Sequence, residues 1–92
     1  MPEVKIEFSQ KPADLDEFMK QFPPYEKCGK DRWVWSSSLG TVVVTALEQT
    51  GGRFVILVQS DTRLHTPWER ANRLGKRLIS HYEEIIRTSE FD

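Results

Sequence analysis

Cysteine, histidine and long apolar runs are all scarce in this sequence of 92 residues. The single cysteine, Cys28, excludes an internal disulfide framework and favours a reducing compartment, of which the cytoplasm is the commonest. No apolar run approaches the roughly 20 residues of a transmembrane helix, and the start MPEVKIEF lacks the apolar core of a signal peptide. We therefore expect one cytoplasmic domain, residues 1–92, with no membrane partner.

The residue patterns that carry catalysis or metal binding are also missing. Cys28, His65 and His81 show neither CxxC nor HxxxH spacing, so the sequence predicts no metal site, and His81 is expected to be solvated. There is no nucleophile elbow and no glycine loop of the kind that cradles phosphate. The acids Asp14 and Asp16 suit the start of a helix. We therefore expect no enzymatic activity and no cofactor.

An excess of one charge is lacking too, because 13 basic and 14 acidic residues leave a formal net charge of −1. The distribution is uneven, however. Residues 27–82 carry nine bases against four acids, whereas residues 1–26 and 83–92 are both acidic. Since local potential matters more than net charge for binding a polyanion, the basic middle is compatible with a nucleic-acid partner. The alternative is a solvated surface of mixed charge.

Hydrophobic periodicity predicts four strands and two helices. The predicted strands are EVKIEF at 3–8, RWVWSSS at 32–38, TVVVTALEQ at 41–49 and RFVILVQS at 53–60. The predicted helices are PADLDEFMKQF at 12–22, ended by Pro23-Pro24, and TPWERANRLGKRLISHYEEIIR at 66–87. Gly51-Gly52 supplies the positive φ that a hairpin turn between two strands needs.

The C-terminal helix is the element on which the predicted fold depends. Thr66, Pro67 and Glu69 have the spacing of a capped helix start. One side of the helix is apolar and must be buried: Ala71, Leu74, Gly75, Leu78, Tyr82, Ile85 and Ile86. Gly75 beside Ala71 would let a neighbouring backbone approach closely, unless it is simply a poorly optimised position.

The order β-α-β-β-β-α predicts an α+β two-layer sandwich, with an antiparallel sheet packed against the long C-terminal helix. One sheet face, with Val42, Val44 and Ala46, would be covered by the helices. The other face would still carry apolar residues such as Val43 and Leu47, although a solvated face should be polar. The second face must therefore meet a second helix, a ligand or another subunit, which suggests a homo-oligomer, a dimer or a tetramer.

Aromatic and basic residues alternate in one short region. Single-strand binders need aromatic faces for bases and cations for phosphates. Trp33 and Trp35 would project from one side of a strand, where they could stack bases; the alternative is that they are core residues, and the same applies to Trp68. A basic stripe of Arg70, Arg73 and Arg77 would follow the helix edge. The candidate site residues are Tyr25, Lys27, Lys30, Arg32, Trp33, Trp35, Arg53, Arg63, Trp68 and Arg70.

The run KCGKDRWVWSSSLGTVVV, followed by the Gly-Gly hairpin and RFVILVQSDTRLHTPWERANRLGKRL, resembles the DNA-binding domain of the archaeal ThermoDBP family. These are single-stranded DNA-binding proteins of thermophiles that do not use an OB fold. The resemblance implies a compact sheet-and-helix domain with a cleft lined by aromatic and basic groups, in or near which Trp33, Trp35, Arg32 and the loop Lys27–Lys30 would lie. It also implies a short form, since this chain lacks the C-terminal helical region through which longer members dimerise.

These observations lead to a hypothesis with two rivals. We expect a non-catalytic, homo-oligomeric protein that binds single-stranded DNA with little sequence preference, by base stacking and phosphate contacts. A rival from another class is a protein-interaction or scaffold domain that docks a partner or a second copy on the spare apolar face. A third reading is an RNA-binding variant that uses the same residues.

Overall fold

The described chain forms one antiparallel sheet with two helices packed on one face. In the computed structural model, which describes residues 2–22, 25–63 and 65–91, the sheet order is β2-β3-β4-β5-β1-β6. The strands are β1 (Glu3–Phe8), β2 (Glu26–Lys27), β3 (Arg32–Ser37), β4 (Gly40–Glu48), β5 (Phe54–Ser60) and β6 (Ile86–Phe91), and the helices are α1 (Leu15–Lys20) and α2 (His65–His81). The α+β two-layer prediction is confirmed.

Alternate residues of the strands build the core, as the period-2 pattern predicts. The register pairs Val44 with Val58 and Ala46 with Ile56, and it pairs Ile6 with Ile56 on the next strand. The following strand residues are buried against the helices: Val4, Ile6, Phe8, Val42, Val44, Ala46, Phe54, Ile56 and Val58. Their face of the sheet is called the covered face below.

Helix α2 crosses β4, β5 and β1 with its apolar side toward the sheet. Ala71, Leu74 and Leu78 are almost fully buried in the same cluster as the strand residues. A Cβ added at Gly75 would lie 2.8 Å from Cγ1 of Val4 and 3.2 Å from Cε2 of Phe91. The close approach expected at Gly75 therefore exists, but side chains of β1 and β6 make it rather than a neighbouring backbone.

The predicted end of the C-terminal helix is wrong. Helix α2 begins at His65 and ends at His81, and a short 3-10 turn then leads into β6, which the sequence analysis missed. Ile85 and Ile86 continue the helical period, but Ile86 pairs with Phe8 instead. Pairing with the free edge of β1 gives hydrogen-bond partners to the backbone groups along a whole strand, and this outweighs the helical periodicity of the sequence.

Several smaller elements also differ from the prediction. Helix α1 spans only Leu15–Lys20, and the expectation that Pro23-Pro24 ends it lies outside the described residues. The two-residue strand β2 lies in a region predicted as loop. Gly51 and Gly52 do have positive φ, of 84° and 80°, but in a 3-10 turn. No helix in the described part of the chain is long and apolar enough to cross a membrane.

Candidate nucleic-acid interface

The two tryptophans of β3 share one side of the strand, as predicted, but that side is the covered face. Trp33 pairs with Val44 and Trp35 with Val42, and the residues are only 3% and 6% exposed. Their predicted role in stacking bases is therefore wrong. Because α2 lies over β4, β5 and β1, the large indoles fill the space under its flank.

Cations cover the outer sides of these rings. The guanidinium carbon of Arg70 lies 4.5 Å from the Trp35 ring centroid, and Nζ of Lys27 lies 5.7 Å from the Trp33 ring. Both separations fall within the roughly 6 Å range of cation–π attraction. The two indoles thus lie inside, with one cation over the outer side of each.

Tyr25 and Arg70 carry the least satisfied polar atoms of this region. The Tyr25 hydroxyl and Arg70 Nε are both buried, and neither has a hydrogen-bond partner among the described residues. Burial raises the pKa of Tyr25 to about 12, while the nearby Arg70 charge acts to lower it. Two buried donors without acceptors among the described residues therefore lie at the margin of the core, within electrostatic reach of each other.

Arginines continue along the same flank of α2. Arg77 follows Arg70 at a separation of seven residues, about two turns, and its guanidinium lies 5.4 Å from the ring of half-buried Phe22. Arg73 lies between them on the exposed side. Within the described residues, no carboxylate forms an ion pair with Arg70, Arg73 or Arg77. These three arginines, with Tyr25 and Lys27, are called the basic edge below.

Lys27 contributes less free charge to the basic edge than the arginines do. Its ammonium lies 2.8 Å from Oδ1 of Asp16 on α1. The hollow beside this pair, lined also by Met19 and Tyr25, has a volume of only about 70 Å³. Small-molecule pockets occupy about 300–1,000 Å³, so a nucleobase does not fit into it. Among the described residues, this hollow is therefore too small to be the predicted cleft.

The other predicted site residues lie elsewhere. Arg32 projects from the opposite face of the sheet, and Lys30 lies in the exposed turn between β2 and β3. Arg53 lies beside the β4–β5 turn. Arg63 stacks on half-buried Trp68 at 5.8 Å, but Trp68 is about 200° around α2 from Arg70 and so lies on its other flank. The structure brings together Tyr25, Lys27, Trp33, Trp35 and Arg70, and no others of the predicted set.

Two members of the basic edge, Arg73 and Arg77, were not chosen as site residues from the sequence, and neither was Phe22, which Arg77 contacts. Phe22 was assigned to the apolar side of a helix, and Arg77 to a solvated helix stripe. The seven-residue spacing of Arg70 and Arg77 was the available signal, since it places both on one flank. The contact of Arg77 with Phe22 joins residues 55 positions apart and has no local signature.

The remaining candidates for a functional site are a hollow near the end of α2 and the potential metal-binding side chains. A hollow of about 350 Å³ near the end of α2 is lined partly by Ser80, His81 and Glu83, but no hydrogen bond joins these side chains. His81 is exposed, with its ring 4.8 Å from that of Phe18. No group of three or more potential metal-binding side chains occurs in the described part of the chain.

The chain matches no protein-family model, and neither a curated protein nor a solved structure is significantly similar to it. The resemblance to the ThermoDBP family therefore stays a prediction, based on the strand, hairpin and helix motifs quoted above. The case for function depends on the geometry of the basic edge.

Proposed function

We propose that this chain is a non-catalytic protein of the cytoplasm that binds single-stranded DNA through its basic edge, with little sequence preference. The observation that carries the proposal is the row of three arginines along one flank of α2, Arg70, Arg73 and Arg77, which form no ion pair with any described carboxylate. A phosphate oxygen is a strong acceptor, and a hydrogen bond between arginine and phosphate is about twice as strong as a neutral one. Relationship to the ThermoDBP family would agree with this function but is not needed for it.

The proposed contacts differ from those expected from the sequence. Trp33 and Trp35 stabilise the edge from below, while Arg70, Arg73 and Arg77 contact the phosphates. A guanidinium that lies on an indole keeps its outer face free, and nucleic-acid bases stack on arginine planes. Because phosphate contacts carry no base information, sequence preference should be weak.

The net charge of −1 does not oppose this partner. The arginines of the basic edge are free of carboxylate ion pairs among the described residues, so their charge is available to a polyanion. Arg70 to Arg77 covers about 10.5 Å of helix axis, which makes this a short contact. Affinity from three phosphate contacts should therefore be modest and strongly dependent on salt.

A titration of a labelled oligo-dT, followed by fluorescence anisotropy at two salt concentrations, tests the proposal. Each phosphate contact on a single strand contributes a slope of about 0.7 decade in affinity per decade of salt, so three give about 2. Arg70→Ala should weaken binding at least tenfold, and Arg53→Ala, which removes an equal charge at a distant turn, should change it less than twofold. Absence of binding at low salt, or equal losses in the two variants, would refute the proposal.

RNA is the competing ligand of the same chemistry. An oligo-U of equal length, titrated under the same conditions, separates the two. Phosphate contacts alone give equal affinities, whereas recognition of a 2′-hydroxyl favours oligo-U. A preference of oligo-U over oligo-dT of more than tenfold would assign the basic edge to RNA.

A further inference from the structure

The sheet face turned away from the helices, called the open face below, is apolar at its centre. Leu47 is 43% exposed, and Val43 and Leu57 are half-buried. Both helices contribute their buried residues to the single core cluster on the covered face. An antiparallel sheet in a two-layer domain normally has a polar face toward water, so this apolar centre indicates an interaction surface.

Strand register aligns one row of open-face residues across five strands. In order along the row these are Arg32 on β3, Thr45 on β4, Leu57 on β5, Lys5 on β1 and Glu90 on β6. A basic residue thus begins the row and an acidic residue ends it, with Leu57 at the midpoint. Lys5 is already paired with Glu7 at 3.6 Å, but Arg32 and Glu90 form no ion pair with any described residue.

The charges of the open face distinguish its partner from that of the basic edge. Among the described residues that are paired in the sheet, four acids lie on it (Glu3, Glu7, Glu26 and Glu90) and two bases, Arg32 and Lys5. Because the face carries both signs of charge, its partner differs from the polyanion proposed for the basic edge. The matching partner must present apolar residues at its centre, an acid opposite Arg32 and a base opposite Glu90.

A second copy of this chain meets these requirements along that row. We propose that two chains associate face to face through their open faces, about a two-fold axis that runs along β5. That rotation reverses the row, so Arg32 of one copy lies across from Glu90 of the other. Leu57, at the midpoint, then meets its own equivalent. Interfaces with two-fold symmetry are self-complementary in this way, and packed sheets lie about 10 Å apart.

Chain length favours the same conclusion. A chain of this size buries only a little over 60% of its unfolded surface when it folds alone, so burial of one more apolar face adds substantially to its stability. The interface also leaves the basic edge accessible, because that edge lies on the helical side of the sheet. Each dimer would carry two such edges on its outer sides.

Sedimentation velocity from about 1 to about 300 μM, with nucleic acid removed, tests the dimer. We expect the wild type to sediment at twice the 10.8 kDa chain mass in the upper part of this range. Leu57→Glu should remain monomeric, because each copy would place a carboxylate against its equivalent. Leu39→Glu changes a 58% exposed leucine in the β3–β4 turn and should leave the dimer intact.

A charge exchange provides the second test and does not depend on tolerance of an acid at Leu57. Arg32→Glu and Glu90→Arg should each weaken dimerisation at least fivefold, and the double variant should recover most of the affinity. A monomer at every concentration would overturn the proposal and leave the face to a different protein. A dimer unchanged by Leu57→Glu, or a double variant no better than the single ones, would also overturn it. Oligo-dT binding by monomeric Leu57→Glu is expected to persist, so the two proposals fail independently.

Discussion

The covered face and the open face are built from alternate residues of the same strands. The chain's own helices bury only the covered face. On the covered face, Val44 and Trp35 are buried by the helices. On the open face, Val43 is apolar but half-buried, and Leu47 is 43% exposed. Apolar residues on the two faces are therefore buried in different ways. The chain's own helices bury those of the covered face, and a second copy, we propose, buries those of the open face.

The largest expected effect is a difference in the free energy of unfolding between substitutions on the two faces. Trp35→Ala removes a buried indole and should lower the free energy of unfolding by about 3–5 kcal/mol. Leu47→Ala changes an exposed open-face residue and should cost less than about 1 kcal/mol in the monomer. Urea unfolding at a concentration below that of dimerisation measures both. Equal costs would contradict the assignment of Trp35 to the core.

The next largest effect is a pH dependence of stability that comes from the buried phenol of Tyr25, at the margin of the covered face. The pKa of Tyr25 is about 12 in the folded chain against about 10 when unfolded. The unfolded chain therefore loses its proton first, so stability is full below about pH 10 and falls by about 2 kcal/mol as the pH rises to 12. Tyr25→Phe should flatten this part of the pH profile of urea unfolding.

The pKa of Tyr82 is raised as well, by burial and then by Asp14, so a residual decline should survive in Tyr25→Phe. The hydroxyl of Tyr82 donates a hydrogen bond to the carbonyl oxygen of Ala13 at 2.8 Å. An identical profile in wild type and Tyr25→Phe would show that the Tyr25 hydroxyl is not buried in the folded chain.

A smaller effect tests how α2 packs on the covered face. Alanine is worth about 1 kcal/mol more than glycine inside a helix. At Gly75, however, the added methyl would lie 2.8 Å from the stiff side chain of Val4, and overpacking costs about 1–3 kcal/mol. We expect Gly75→Ala to destabilise the fold by about 1 kcal/mol, whereas Lys76→Ala on the exposed side should be neutral. A more stable Gly75→Ala would mean that Val4 moves freely.

The sequence predicted which residues of a strand share a face better than it predicted what covers that face or which strands pair. Alternation correctly placed Val4, Ile6 and Phe8 on one side and both tryptophans of β3 on one side. Period alone does not say which side the helices cover, and this is why Trp33 and Trp35 were assigned to stacking. Strand β6 was missed because its pairing with β1 joins residues about 80 positions apart, so no local pattern announces it.

The sequence predicted some of the residues of the candidate site, but it did not predict how they are arranged. Tyr25, Lys27 and Arg70 do come together, but only because β2 adds to the sheet edge beside α2. Arg32 was grouped with them by proximity in sequence, although alternation along β3 sends it to the open face. Neighbours in a strand point to opposite sides, so a cluster in sequence divides between two surfaces.

The central claim is that the cations above the buried rings, and not the rings themselves, contact the nucleic acid. It is tested most directly by oligo-dT anisotropy at low salt on Trp33→Leu beside Arg70→Ala, with circular dichroism to confirm that both are folded. Leucine keeps position 33 apolar but removes the ring. The account predicts an affinity within twofold of wild type for Trp33→Leu and a loss of at least tenfold for Arg70→Ala. A loss in Trp33→Leu as large as that in Arg70→Ala would contradict it.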